Sequence, residues 1–229
     1  MNIEEIKEKL KAKAVYFITG GIRPTNEIGE SWIGKVTFEN EGEQYPYDEL
    51  GNKMIPLFTL FLNNLEYVPE CLKEYKLITI FVSTESLRHT HDEDLFKWFH
   101  FRMYKYINNL VSCEYVSEEI TPFPLVPKFV DNDYPSYDDL EGDILHAVAE
   151  MEDREGINYY DICENEYDCH KLGKYPHSIQ GGVGYPEGYE FVLQICSDAK
   201  AGFNIIDSGN FYFAYNKELN KWLVRCDFY

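Results

Sequence analysis

Apolar positions along the chain fall into two periods. Near the N-terminus Ile3, Ile6, Leu10 and Ala14 recur at helical spacing with lysines and glutamates between them, which predicts a short amphipathic helix over residues 2 to 13. Val15 to Ile18 then reads as a strand stopped by Gly20-Gly21, and Trp32 to Phe38 alternates as a second strand. Residues 39 to 53 form an acidic loop broken by Gly42, Pro46 and Gly51. Ile55 to Leu62 and Leu77 to Val82 are apolar runs of strand length. From His91 to Leu110 the spacing changes, and Leu95, Phe99, Met103, Ile107 and Leu110 share one face of a helix that would start near Asp92. Cys113 to Ser117 suits a strand, while the three prolines of Thr121 to Lys128 require an extended, non-helical link. A further helix is expected after Ser136-x-x-Asp139, which fits a capping box, with Leu140, Ile144, Leu145, Val148 and Met151 as its buried stripe.

The densest turn chemistry lies between His170 and Tyr215. Tyr189 to Cys196 and Asn210 to Tyr215 are short aromatic and β-branched runs bounded by turn residues, so they are expected to pair. Asp207-Ser208-Gly209-Asn210 supplies a side-chain acceptor and a glycine for a tight turn. Gly173, Pro176, Gly181, Gly182, Gly184, Pro186 and Gly188 forbid a regular helix and mark a long ordered loop over 173–188. Lys221 to Phe228 closes the chain as a strand.

These residues carry a resemblance. His-Lys-Leu-Gly-Lys-Tyr-Pro-His-Ser-Ile-Gln at 170–180, Leu193-Gln194-Ile195, Asp207-Ser208-Gly209 and Tyr212-Phe213 resemble the signature of the YwqG-like family of bacterial proteins. In the N-terminal half Ile33-Gly34 stands where that family starts a Gly-Gly-x-Pro segment, and Tyr45-Pro46 stands for its Trp-Pro. Residues 51–62 fit its next strand, with Thr59 in place of the usual glutamine; Lys35 and Phe38 depart from the expected glycine and proline. The resemblance implies an α+β fold, a cytoplasmic protein and no established biochemical activity.

The two ends of the chain also resemble each other. Ile33-Gly34-Lys35 sits against Leu172-Gly173-Lys174, residues 58–62 against 193–197, and 79–81 against 211–213. The expected architecture is therefore α+β, in one domain spanning 1–229. Its repeat halves, 15–90 and 165–229, would form two related antiparallel β-sheets by internal duplication, with an N-terminal helix and a helical insertion at 91–151 covering one side.

Composition narrows the functional classes. Among 229 residues, 40 acids oppose 21 bases for a net charge of −19, which repels phosphate backbones and anionic lipid. Nucleic acid and membrane surfaces are poor partners for such a chain; a basic protein partner is not. Six cysteines are scattered without a Cys-x-x-Cys pair and read as reduced thiols, and the charged N-terminus does not suit a signal peptide. The expected compartment is the cytoplasm.

No motif assigns a reaction, so the catalytic residues are left unknown. His89-Thr90-His91-Asp92 could hold a divalent metal but suits capping better, and Cys163, Cys169, His170 and His177 do not follow a usual zinc spacing. The acidic run from Asp131 to Asp143 lacks the spacing of a calcium loop, and 181–188 lacks the Lys-Ser or Lys-Thr end of a phosphate loop. No metal and no cofactor is called for. What remains is a polar candidate ligand-binding set, His170, Gln180, Gln194 and Asp207, because a glutamine within an apolar strand must find partners or lose roughly 1 to 3 kcal/mol. Those partners can be loop backbone or a ligand. Three readings stay open: a non-enzymatic binding or interaction protein, of immunity type, whose acidic surface meets a basic partner; a small-ligand binder or enzyme using the polar set around the glycine loop; and a structural domain acting through self-association.

Overall fold

The computed structural model describes residues 1–92, 94–163 and 169–229. Position 93 of the helix expected over 91–110, and positions 165–168 of the second expected repeat half, lie outside the described residues.

The chain opens with helix α1 (Ile3–Leu10), where the Asn2 side chain accepts from the Glu5 N–H and the Glu5 carboxylate accepts from the Asn2 N–H. There follow β1 (Ala12–Thr19), β2 (Ser31–Ile33), β3 (Lys35–Asn40), β4 (Ile55–Phe61), β5 (Leu77–Val82), β6 (Phe99–Tyr104), β7 (Leu110–Val116) and β8 (Phe123–Asp133). Helices α2 (Gly142–Glu155) and α3 (Tyr159–Ile162) precede β9 (His170–Leu172), β10 (Glu190–Cys196), β11 (Asn210–Asn216) and β12 (Lys221–Asp227).

Ten strands form one antiparallel sheet in the order β12-β11-β10-β9-β1-β8-β2-β4-β5-β6, and β3 pairs with β7 in a separate ribbon. This overturns the expected α+β class and its two packed sheets. The fold is mainly β, 37% strand against 18% helix, and its large sheet curls into a half-barrel. Both flanks follow the same pairing outward from β1 and β8: Ile33 faces Phe58 as Leu172 faces Leu193, and both β4 and β10 carry a bulge just before those residues. The third strand differs by one position from the sequence comparison, since Ile80 faces Phe58 while Phe213 faces Leu193.

Curling buries one continuous core inside the sheet. Phe99 of β6 meets Phe211 and Phe213 of β11 edge-on at 5.1 and 5.4 Å, and Phe101 stacks on Trp222 of β12 at 4.4 Å, so the two end strands close over the interior. Each such side chain withdrawn from water contributes about 1.5–3 kcal/mol. A smaller cluster, with Ile6, Leu10, Tyr134, Val148, Met151 and Tyr159, packs the helices together.

The helix expected over 91–110 is instead a 3-10 turn (Leu95–Trp98) running into β6, so the insertion is not helical there. Phe99 and Met103 are four apart, a spacing that fits both a helix face and a strand face; Phe101 between them, packed on the same core, decides for the period of two. The proline-rich link is the start of a central strand. The Pro124 carbonyl accepts from Gly20, so the missing N–H of Pro124 faces the end of β1, and that of Pro127 faces the side where three-residue β2 has already stopped. The stretch 32–38 breaks at Gly34, whose φ is +73° and where a Cβ would lie 2.9 Å from the Ile120 carbonyl. Ser136 caps no helix with its side chain: a 3-10 turn (Tyr137–Asp139) follows it, and α2 begins later, after Glu141.

Candidate functional site

His170 and Gln194 are both buried, on neighbouring strands, but they face different surroundings. His170 Nδ1 lies 3.1 Å from the Cys196 backbone N–H, which donates to it, and Nε2 lies 3.2 Å from Asp198 Oδ2. Since Nδ1 accepts, the ring proton sits on Nε2 and is donated to Asp198. The imidazole thus takes the place of a β9 carbonyl at the point where the β9–β10 ladder ends. Asp198 is held from three more directions. Thr19 Oγ1 donates to its Oδ2, the Ala201 N–H donates to Oδ1 at 2.9 Å, and its backbone bridges Phe203. Burial pushes the Asp198 carboxyl up, but the hydrogen bonds from His170, Thr19 and Ala201 outweigh it and hold the group well below the usual carboxylate range.

Gln194 is fully buried. Its Oε1 accepts from the His177 N–H at 2.9 Å and its Nε2 donates to the Cys169 carbonyl at 3.1 Å, so the amide ties both ends of the segment 169–177 to β10. Gln180 and Asp207 do not join them. Gln180 is exposed, with its amide donating to the Phe228 carbonyl, and Asp207 is an exposed turn residue whose own carbonyl accepts from the Tyr229 N–H at 3.1 Å. Gly209 in that turn approaches β12 so closely that a Cβ would lie 2.3 Å from the Asp227 carbonyl.

Beside Gln194 lies a charged group that the sequence reading missed. Lys171, Asp133 and His177 have no solvent exposure. Lys171 Nζ donates to Asp133 Oδ1 and Oδ2 at 2.7 and 2.8 Å and to His177 Nε2 at 2.8 Å, while Tyr16 OH donates to Asp133 Oδ1 at 2.9 Å. An ammonium has no lone pair, so His177 Nε2 is the acceptor. Burial pulls the Lys171 ammonium below its ordinary value; burial pushes Asp133 up, but the Lys171 ammonium beside it outweighs that and holds it down. The available signal was Lys171 within an apolar strand, a charge that cannot be buried without a carboxylate.

Asp227 anchors the next part of the loop: Oδ2 accepts from the Ile179 and Gln180 N–H groups at 2.8 and 3.2 Å, and Oδ1 accepts from Tyr212 OH at 2.6 Å. Burial pushes the Asp227 carboxyl up, and also that of Asp139, which reaches about 6 with repulsion from Asp138 and Asp227. Asp139 Oδ2, Ser178 Oγ, Tyr185 OH and Asn210 Oδ1 are buried without a hydrogen-bond partner among the described residues.

On the other side of His170 a cleft of about 750 Å³ opens, a size that suits a small ligand. Tyr16, Ile18, Cys169, His170 and Cys196 line it from the sheet, and Ala199, Phe203 and Asn204 from the turn that Asp198 holds. Cys196 Sγ stands 3.5 Å from His170 Nδ1, but that lone pair already receives the Cys196 N–H. The cleft therefore offers shape, aromatic surface and thiols, with its imidazole and carboxylate engaged in holding its walls.

The metal constellations weighed in the sequence are dispersed. His89 pairs with Asp92 at 3.0 Å and stacks on Trp98, Cys163 lies in the helical cluster, and His177 lies beside Lys171. Among the described residues no three His, Cys, Asp or Glu side chains are grouped to hold a metal ion, and no helix is long and apolar enough to cross a membrane. No curated protein matches the chain. A family does match, over residues 33–228, which takes in every strand from β3 to β12 and both walls' residues from Cys169 to Asn204. The chain belongs to that family, described as a domain of unknown function (DUF1963).

Proposed function

We propose that this protein is a non-enzymatic, cytoplasmic binding protein, akin to the YwqG-like proteins, and that the cleft beside His170 is where it takes its ligand. One observation carries the reading: His170 and Asp198, the cleft's acid–base pair, are saturated by Cys196 N–H, Thr19 and Ala201, so they shape the walls rather than wait for a substrate. The ligand this wall suits is small and largely uncharged, lying between Ile18, Cys169 and Phe203.

The test is a ligand-observed NMR screen of a fragment library against the wild-type chain and Ala199→Trp, a substitution on the exposed turn that fills the cleft. The reading expects fragments that bind the wild type and lose most of their signal with the variant. Fragments bound equally by both, or none bound by the wild type, would overturn it.

Two alternatives keep a specific support each. The net charge of −19 favours an interaction with a basic protein, of immunity type, across the acidic surface. Four of the eight buried side-chain polar atoms that lack a partner among the described residues, those of Asp139, Ser178, Tyr185 and Asn210, lie on or against the 173–188 loop and its supports and favour a small polar ligand beneath that loop.

A further inference from the structure

The curled sheet brings β6 and β12 face to face without backbone pairing between them, Trp222 Nε1 of β12 donating to Met103 Sδ of β6 at 3.2 Å, and a second cleft of about 770 Å³ runs along this seam. Its chemistry is the opposite of the chain's average. Lys97, Lys105 and Lys217 line it against one acid, Glu74, on a protein with nearly twice as many acids as bases. Lys105 is paired with Glu74 at 2.6 Å and Lys97 with Asp92 at 3.4 Å, whereas Lys217, exposed on the β11–β12 turn, forms no ion pair among the described residues. Between these cations lies a stack of rings: Phe96 is parallel to Phe101 at 5.9 Å, Phe101 to Trp222 at 4.4 Å, and Tyr215 leans on Trp222 at 4.9 Å. Phe96, at the end of the stack away from Tyr215, and Phe101 are only partly buried and line the cleft.

We propose that this seam binds a planar aromatic anion, an aryl ring carrying a phosphate or carboxylate. The ring would extend the Phe96–Phe101–Trp222 stack, and the anionic group would reach Lys217 and Lys105, with the Asn220 amide beside them. The overall negative charge does not forbid this, because at physiological salt the screening length is about 8 Å and distant acids are felt weakly beside lysines in contact. The seam is distinct from the cleft beside His170, and the two share no lining residue.

The experiment is a titration of the ¹⁵N-labelled full chain with adenosine 5′-monophosphate and with 1-naphthoate, using adenosine and inorganic phosphate as controls that lack the charge or the ring. The proposal expects both aryl anions to bind with Kd of about 1 mM or tighter, to shift the amides of Lys105, Lys217 and Asn220, and to outbind both controls. Response to only one of the two anions would fix the ligand as phosphate or carboxylate within the proposal. Lys217→Glu, on an exposed turn, should weaken binding by about tenfold while leaving the amide spectrum elsewhere unchanged. Adenosine binding as tightly as its monophosphate, an unchanged affinity in Lys217→Glu, or shifts confined to other surfaces would each overturn it.

Discussion

Asp133→Ala should destabilise the protein by about 3–5 kcal/mol, because it leaves the Lys171 ammonium without its counter-ion in a fully buried site. That is a large part of the roughly 5–15 kcal/mol that holds a typical domain together, and the variant should show a markedly lower urea midpoint. Replacing both partners, Asp133→Leu with Lys171→Met, should cost less than the single change, since no charge is then stranded; Tyr16 and His177 still lose a partner. The pair also sets an acid response. The Asp133 carboxyl is held below its usual value of 3.8 in the folded protein, so the unfolded chain takes up that proton first. Its stabilisation is complete above that value and fades as the pH falls below it; the double variant should lose this part of the slope. A cost under about 1 kcal/mol for Asp133→Ala would mean that the pair is hydrated.

Gln194→Leu should cost about 2–4 kcal/mol, because two buried backbone groups, the His177 N–H and the Cys169 carbonyl, lose the amide that satisfies them. Gln194→Glu keeps the acceptor and loses the donor, and should fall between wild type and leucine at neutral pH unless the new carboxylate draws on Lys171. Urea unfolding measures the cost. Hydrogen exchange at the amides of Tyr175 and of His177, Ser178 and Ile179 locates it, with protection there lost before protection in β10 and β11. An unchanged exchange pattern would show that the loop is held by Asp227 and Tyr212 alone.

What the sequence made legible depended on how local each signal was. The β10–β11 pair, the turn at 207–210 and the need of Gln194 for partners are all written within a few residues of each other. Lys171 and Asp133 are 38 positions apart, and His170 and Asp198 are 28 apart on different elements, so each looked like a solitary polar residue until the sheet brought it to its partner. Gln180 and Asp207 belong with His170 and Gln194 to one turn-rich stretch of the sequence, but both lie outside the strands, one in the loop and one in the turn, and both are exposed. The helix expected over 91–110 failed because a spacing of four satisfies both periods. The α+β expectation fell with it, together with the assumption that two flanks must make two sheets: short β2 and β9 join them to β8 and β1 in one.

In the proposed function His170 is a wall of the cleft and not a base within it. Long-range ¹H–¹⁵N correlation of the imidazole at pH 7.5 tests this directly. A proton on Nε2, with Nδ1 showing the shift of an acceptor, is the result expected from the Cys196 N–H and Asp198 contacts; a proton on Nδ1, shared with the Cys196 thiol, would make the ring and thiol a reactive pair and contradict it.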